Sequence, residues 1–306
     1  MTDKTLIALI GPTAIGKTSL AIQLATYFNT EILSADSRQF YKEMCIGTAV
    51  PTHEELQMAP HHFIQHKSIL DTYTVGDFEK EAISKLYLIF KENSLAILVG
   101  GSGLYVDAVV NGLDKFPKIP IEIREELITL ENEKGISFLQ EELKNRDLKY
   151  YENVDIENPH RVIRALEVCI ASGKPYSSFL NQKKKKRNFK TIYVGIKAER
   201  TVIYDRINKR VDFMIENGFL NEARELYQYK ELNALQTVGY KELFAFFDGN
   251  YDYDFAIEEI KKNTRRFAKR QLTWNRKNND INWVEFGEDT KEIISKVENL
   301  VNSRYE

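Results

Sequence analysis

Lys17 and Thr18 close the run Gly11-Pro12-Thr13-Ala14-Ile15-Gly16-Lys17-Thr18, which fits G-x-x-x-x-G-K-[ST] in full. In such a loop the glycines let backbone N–H groups converge on phosphate oxygens. The lysine adds a point charge, and the threonine hydroxyl suits Mg²⁺. The spacing therefore predicts a phosphate site, against the alternative of a glycine turn with an exposed lysine. It does not say which phosphate compound binds. Proteins that hydrolyse nucleotides usually carry an acid at the end of a second apolar strand to hold the metal. Here Leu95–Val99 runs into Gly100-Gly101 without one, which weighs against an ATP motor or a GTP switch.

The acid stands elsewhere, in Ser34-Ala35-Asp36-Ser37-Arg38-Gln39. Asp36 follows the second strand, at the carboxyl end of the sheet, where open α/β sheets place ligands. A carboxylate there can take a proton from a bound nucleophile; for an isolated Asp, a turn or helix cap is the more common use. Arg206 and Arg210 lie four apart, on one side of a predicted helix. Guanidinium forks suit a diphosphate, although Asp205 and Asp212 are also within reach as surface partners. His53, His61, His62 and His66 have no recognised zinc spacing, and loop packing is the expectation for them.

These residues need a scaffold, and the sequence describes one. Leu6–Ile10 reads as a strand, Lys17–Phe28 as a helix, Glu31–Ser34 as a second strand and Leu95–Val99 as a third. Thr74 with Asp77 three residues on forms a capping box for a helix reaching about Asn93. Gly100–Gly103 opens another helix. Strand–helix alternation of this kind predicts a parallel sheet wrapped by helices. After Leu113 the chain to Pro175 reads as helical, including a helix from Pro159 to Gly173 with Val162, Ala165, Leu166 and Cys169 as its apolar stripe. Phe189–Ile196 returns to the sheet. Helices at about 199–217, 219–229 and 253–277 follow, then a last strand at Trp283–Phe286. The fold class is α/β, a sheet like that of P-loop NTPases flanked by helices. The core is expected over 1–115 and 190–306, and a mostly helical inserted domain over 116–189.

The chain has 306 residues, 43% hydrophobic and 29% charged, so wholesale disorder is excluded. No apolar run approaches a membrane span, and the N-terminus reads as a strand and not a signal peptide. Two cysteines build neither a disulfide framework nor a four-cysteine zinc site, which points to a reducing, cytoplasmic setting. The net charge of −2 hides two basic runs, 183–190 with six cations and 261–277 with eight. Local potential is what a polyanion feels, although charge runs are commonly plain solvated surface. Phe267 and Trp274, seven apart, are expected to turn one face of the second run into the core.

Taken together, the motifs GPTAIGKT, SADSRQFYKEMCIGTA, PHH, LVGGSGLYVDAV, NPHRVIRALEVCIASGKP, RINKRVDFMIENGFLNEAREL, TVGYKEL and TRRFAKRQLTWNRK occur in an order that resembles the tRNA dimethylallyltransferases of MiaA type. The resemblance covers nearly the whole chain. It implies transfer of a dimethylallyl group from dimethylallyl diphosphate to N6 of the adenine 3′ to the anticodon. It also implies that the loop Gly11, Pro12, Thr13, Ala14, Ile15, Gly16, Lys17 and Thr18 holds the isoprenoid diphosphate and not ATP. By the family pattern Asp36 contacts N6, Thr13 the bridging oxygen, and Arg210 the diphosphate with Arg206 beside it. Asp36, Ser37, Arg38, Gln39, Ser102, Arg124, His160, Arg161, Val162, Ile163 and Arg164 match tRNA-contacting positions. The insertion corresponds to the domain that closes over the anticodon stem-loop.

Some positions depart from the pattern: GGSG stands where GGTG is usual, and His160 where glutamine is common. Phe40 reads as a variable position. Two cysteines leave no C₂H₂ finger of the eukaryotic type, so a bacterial form is expected. A monomer is expected, with Mg²⁺ at Thr18. The alternatives are a small-molecule P-loop kinase and an isopentenyltransferase acting on free adenine nucleotides. From another class, an RNA-binding protein with an inactive loop is opposed by the intact Lys17, Thr18 and Asp36.

Overall fold

The structure, a computed structural model, describes residues 4–180 and 186–303. Lys183–Lys185, the centre of the first basic run, lie outside the described residues. Contacts divide the chain into two compact units, Met1–Asn111 with Arg187–Glu306, and Gly112–Lys186.

The first unit is built on a six-stranded sheet. Its strands are β1 (Thr5–Ile10), β2 (Ile32–Ser34), β3 (His61–His62), β4 (Leu95–Val99), β5 (Lys190–Lys197) and β6 (Ile281–Glu285). Their order is β3-β2-β4-β1-β5-β6 and every pairing is parallel. β1 and β4 are buried at every residue, which explains their unbroken apolar runs. Alternate side chains feed two core layers. Leu6, Ala8, Ile10, Leu33, Ala96 and Leu98 enter one, and Ile7, Leu9, Ile32, Ile97, Val99 and Ile192 the other. That period of two is the pleat itself.

The helix Lys17–Phe28 begins and ends as the sequence reads. The helix Val75–Glu92 is opened by the Thr74–Asp77 capping box. The return strand and the last strand each lie within about a residue or two of their predicted places. Three helices absent from the sequence reading are present: His53–Met58, Tyr240–Phe247 and Thr290–Asn302. The edge strand His61–His62 is likewise new. It is two residues long, too short for any periodicity to register.

One expectation about aromatic residues is corrected, that for Phe267 and Trp274. Phe40, read as a variable position, belongs to the core. It is fully buried at the centre of a ring cluster with His66, Tyr73, Phe78 and Tyr105, at centroid distances of 5.3–5.5 Å. Phe267 and Trp274 do not form the core face of their helix: they are 37% and 41% exposed. The buried stripe of Tyr253–Asn275 is Ala256, Ile260, Ala268, Gln271 and Asn275. This stripe packs on the helices Gly103–Asn111, Arg200–Glu216 and Tyr240–Phe247, and Phe267 and Trp274 sit one position off it.

The second unit is helical, with helices Ile121–Lys134, Ile136–Arg146 and Pro159–Ser172 around Leu127, Leu139, Leu143, Val162, Ile163, Ala165 and Leu166. Asn158 caps the last of these at the Arg161 N–H, Pro159 fills its first turn, and Gly173 ends it in the left-handed region at φ 66°.

Candidate active site

β1 delivers the chain into the loop and Lys17 opens the helix after it, as the motif requires. Gly16 has φ 97°, a region that a side chain disfavours, and this lets the loop reverse into the helix. Ala14 also sits there, at φ 63°, without glycine's freedom. Such conformations persist where surroundings enforce them. Here Arg206 Nε donates to the Ala14 carbonyl at 2.7 Å, and the Arg206 guanidinium lies over the Phe286 ring at 4.6 Å.

The loop forms one side of a cleft of about 970 Å³. Thr13 through Thr18, Asp36, Gln39, Gly100, Gly101, Arg206 and Arg210 all line it, so the first unit brings together most of the residues picked out by type. Gly11 and Pro12 lie buried beneath the loop. Lys17 Nζ donates to the Pro12 carbonyl at 2.7 Å. Burial pulls its pKa down to about 8; the Asp36 charge opposes this and Arg210 adds to it. Arg210 donates to Thr13 Oγ1 at 3.2 Å and to the Thr48 carbonyl at 3.4 Å. Burial pushes its pKa down as well, with Asp36 opposing, yet a guanidinium stays cationic at any working pH. Two cations and one carboxylate thus face each other across the cleft.

Asp36 does two things. One oxygen, Oδ1, accepts the Arg38 N–H at 3.1 Å, so the bland turn reading holds in part. The carboxylate also lies within electrostatic reach of Lys17 and Arg210. β4 passes so close that a Cβ on Gly100 would stand 2.6 Å from the Ala35 carbonyl oxygen. Ser37 Oγ and Ser102 Oγ are 3.3 Å apart and join the two strand ends. Gln39 Nε2 donates to the Thr48 and Ala49 carbonyls at 3.2 and 3.0 Å. Arg38 turns away from the loop and donates to the Asn233 and Ala234 carbonyls at 2.8 and 2.9 Å. Its guanidinium is thereby occupied in bracing the segment Asn233–Leu235.

In the helical unit, His160 and Arg161 are exposed, whereas Val162 and Ile163 are buried in the core. The run 160–164 is helical, so consecutive residues cannot share a face. The side chains of Val162 and Ile163 pack inward, so at these two positions only the backbone is left to meet a ligand. Arg124 and Arg164 share the buried carboxylate of Glu167, at 3.2 and 2.5 Å, and Arg164 lies over the Phe116 ring at 5.0 Å. Each guanidinium stays about 40% exposed, held but accessible.

Three of the four histidines are used for packing; His53 is not, because it is exposed on the helix His53–Met58, where its Nε2 meets Gln57 Nε2 at 2.8 Å. His61 Nδ1 meets the Ala59 carbonyl at 2.8 Å, His62 pairs with Glu31 at 2.5 Å, and His66 lies among Phe40, Phe63 and Tyr73. Burial pushes all three below the usual histidine pKa. Among the described residues no group of three or more His, Cys, Asp or Glu side chains could hold a metal. The donor set at the loop is a lone hydroxyl, Thr18. That fits Mg²⁺, which keeps several waters and takes its other ligands from substrate phosphates, and it does not fit an all-protein metal cage.

Sequence reasoning missed Gln271. Its Oε1 accepts the Thr13 N–H at 2.8 Å and its Nε2 donates to the Gly101 carbonyl at 2.9 Å, so it ties the loop to the end of β4. A Cβ on Gly101 would stand 2.2 Å from Gln271 Nε2, so a side chain there would displace this amide. The available signal was an uncharged amide in a basic helix, three residues after Ala268 on the buried stripe.

The sequence model of the family described as IPP transferase matches residues 39–278. The chain is 62% identical to the tRNA dimethylallyltransferase of Christiangramia forsetii, over 97% of this chain and 99% of that one. It is 57% identical to the protein of the same name from Flavobacterium johnsoniae, over 98% and 99%. The crystal structure of the tRNA isopentenylpyrophosphate transferase from Bacillus halodurans superposes with a TM-score of 0.72 at 37% identity, over 98% of this chain and 96% of that one. A eukaryotic dimethylallyltransferase acting on tRNA gives 0.81 at 25% identity, over 98% and 80%. A phosphate loop, an acid after the second strand and a half-buried arginine thus share one cleft in a chain that matches these proteins almost end to end, and the chain belongs to the IPP transferase family.

Proposed function

We propose that the protein transfers a dimethylallyl group from dimethylallyl diphosphate to N6 of the adenosine 3′-adjacent to the anticodon, position 37, in tRNAs reading codons that begin with U. The products are N6-(dimethylallyl)adenosine and diphosphate. The observation that carries this reading is the convergence of Lys17, Arg210 and Asp36 on one cleft.

An allylic diphosphate leaves readily only when its charge is neutralised. The loop N–H groups, Lys17 and Arg210 supply fixed positive potential where charge develops. Thr13 Oγ1 accepts from Arg210 and in this reading donates its own proton to the bridging oxygen. Thr18 would hold Mg²⁺, which when bound adds further neutralisation to the diphosphate. The adenine N6 lone pair is delocalised, so the amine is a poor nucleophile. Asp36 accepts an N6 proton as the C–N bond forms and the C–O bond to diphosphate breaks. A base in an anticodon loop is cheaper to extract than one in a duplex, which suits a site at the bottom of a cleft.

Arg124, His160, Arg161 and Arg164, with the exposed cations of the helix Tyr253–Asn275, supply backbone contacts to tRNA. A membrane role has no support here: among the described residues no helix is long and apolar enough to cross a bilayer. A monomer in the cytoplasm, with Mg²⁺, completes the proposal. The test is purified protein with labelled dimethylallyl diphosphate and either tRNA or AMP as acceptor. Label in tRNA alone supports the proposal; label in AMP alone transfers it to a free-nucleotide enzyme.

A further inference from the structure

One wall of the cleft is held from behind by a carboxylate that does not face it. Cys45, Ile46 and Gly47 present three successive backbone N–H groups to Glu222. Oε2 accepts from Cys45 at 3.0 Å and from Ile46 at 2.7 Å. Oε1 accepts from Gly47 at 2.9 Å and from the Tyr240 hydroxyl at 2.6 Å. Successive N–H groups that converge in this way form an anion-binding nest, and here the anion is the protein's own side chain. The site has no slack. A Cβ on Gly47 would stand 2.3 Å from the Phe219 ring and 2.6 Å from the Tyr240 ring. Both rings are fully buried and meet edge-on at 5.0 Å.

What this nest fixes leads directly into the cleft. Cys45, Ile46, Ala49 and Val50 line it. The Thr48 carbonyl accepts from Arg210, and the Thr48 and Ala49 carbonyls both accept from Gln39. Arg210 faces the phosphate loop and Gln39 follows the Asp36 turn, so the same short segment braces both halves of the site.

We propose that Glu222, assisted by Tyr240, is a positioning residue for the transfer reaction: it fixes residues 45–49 so that the Thr48 and Ala49 carbonyls hold Arg210 and Gln39 in place. The proposal rests on the function given above. All four groups around the carboxylate donate, so only a side chain with two accepting oxygens satisfies them. Glutamine would set its own NH₂ against N–H donors. Burial and the neighbouring Glu222 charge push the Tyr240 phenol far above its ordinary pKa, so it remains a donor at every working pH. The constellation is therefore a fixed brace and not a pH switch.

The experiment compares Glu222→Gln and Tyr240→Phe with the unaltered protein, measuring kcat, KM for dimethylallyl diphosphate, KM for tRNA and Tm. Loss of a hydrogen bond to a charged group corresponds to about 10- to 100-fold. Glu222→Gln is expected to raise KM for the diphosphate by about that factor and to lower kcat, with a clearly smaller rise in KM for tRNA through Gln39. Tyr240→Phe keeps the ring against Gly47, loses one donor and should shift the same constants less. If Glu222→Gln does not fold, Tyr240→Phe decides. A fall in Tm with both KM values unchanged, or an equal rise in both, would overturn the proposal. Should the unaltered protein transfer no prenyl group, the functional reading fails instead.

Discussion

Gln271 and Thr13 are 258 positions apart in the chain and 2.8 Å apart in the fold, and the hydrogen bond between them sets where the phosphate loop begins. The other end of the same amide holds Gly101 at 2.9 Å. Gln271→Ala removes a partner from each of two half-buried backbone groups, at up to about 1–3 kcal/mol apiece. It should lower Tm and raise KM for the diphosphate together. Gln271→Glu keeps the acceptor for Thr13, loses the donor to Gly101 and places a negative charge beside the loop. Its KM for the diphosphate should exceed that of the alanine variant. Equal KM values for the two would show that charge at this position does not reach the loop.

Lys17 gives the reaction a pH limit. Its pKa lies near 8 where an ordinary lysine titrates at 10.5, so the free enzyme loses this cation as pH rises through about 8. Since kcat/KM reports the free enzyme, kcat/KM for the diphosphate should fall above pH 8 by at most about tenfold per unit. The bound diphosphate favours the charged lysine, so kcat should stay level over the same range. Stability moves the other way. The unfolded chain binds the extra proton between about pH 8 and 10.5, so unfolding becomes harder as pH climbs through that window. A kcat/KM that is level to pH 9.5 would remove Lys17 from diphosphate binding.

Asp36→Asn should bind tRNA with nearly unaltered affinity, because phosphate contacts supply most of that affinity. Turnover should drop by about 10²–10⁴-fold, the usual range for a general base. Asparagine retains an oxygen for the Arg38 N–H, so the turn should survive. Single-turnover rates beside filter-binding affinities check both halves. Near-normal turnover would reduce Asp36 to a turn residue.

ATP should be neither consumed nor required. β4 is followed by Gly100, where a Cβ would stand 2.6 Å from the Ala35 carbonyl oxygen, so the backbone leaves no room for the acid that a nucleotide hydrolase places there. Lys17→Ala should abolish prenyl transfer. Phosphate release from ATP in proportion to modified tRNA would favour the kinase alternative.

Glu167 offers a test in the helical unit alone. Its buried carboxylate holds Arg124 and Arg164. Glu167→Gln should raise KM for tRNA several-fold while KM for the diphosphate stays put. Its log–log salt slope should also become shallower, since each lost phosphate contact removes about 0.7–0.9. An unchanged slope would mean that the two guanidinia serve the helices and not the RNA.

The sequence by itself determined what depends on a few neighbouring residues. The loop Gly11–Thr18 and the helix it opens, the Thr74–Asp77 cap and the Pro159–Ser172 helix were all legible, because cap chemistry, glycine conformation and apolar periodicity act over a turn or two. So were the acid after β2 and the two arginines at helical spacing. Tertiary structure decided which of these meet. The order β3-β2-β4-β1-β5-β6 sets the ends of β1, β2 and β4 side by side, and no local pattern encodes that order. It brought Gln271 to Thr13 and Glu222 to the backbone of residues 45–47 through contacts between distant segments. It also buried Phe40 and left Phe267 and Trp274 outside. The buried line of Tyr253–Asn275 is set by the helices that pack on it, Gly103–Asn111, Arg200–Glu216 and Tyr240–Phe247, and these come from distant parts of the chain.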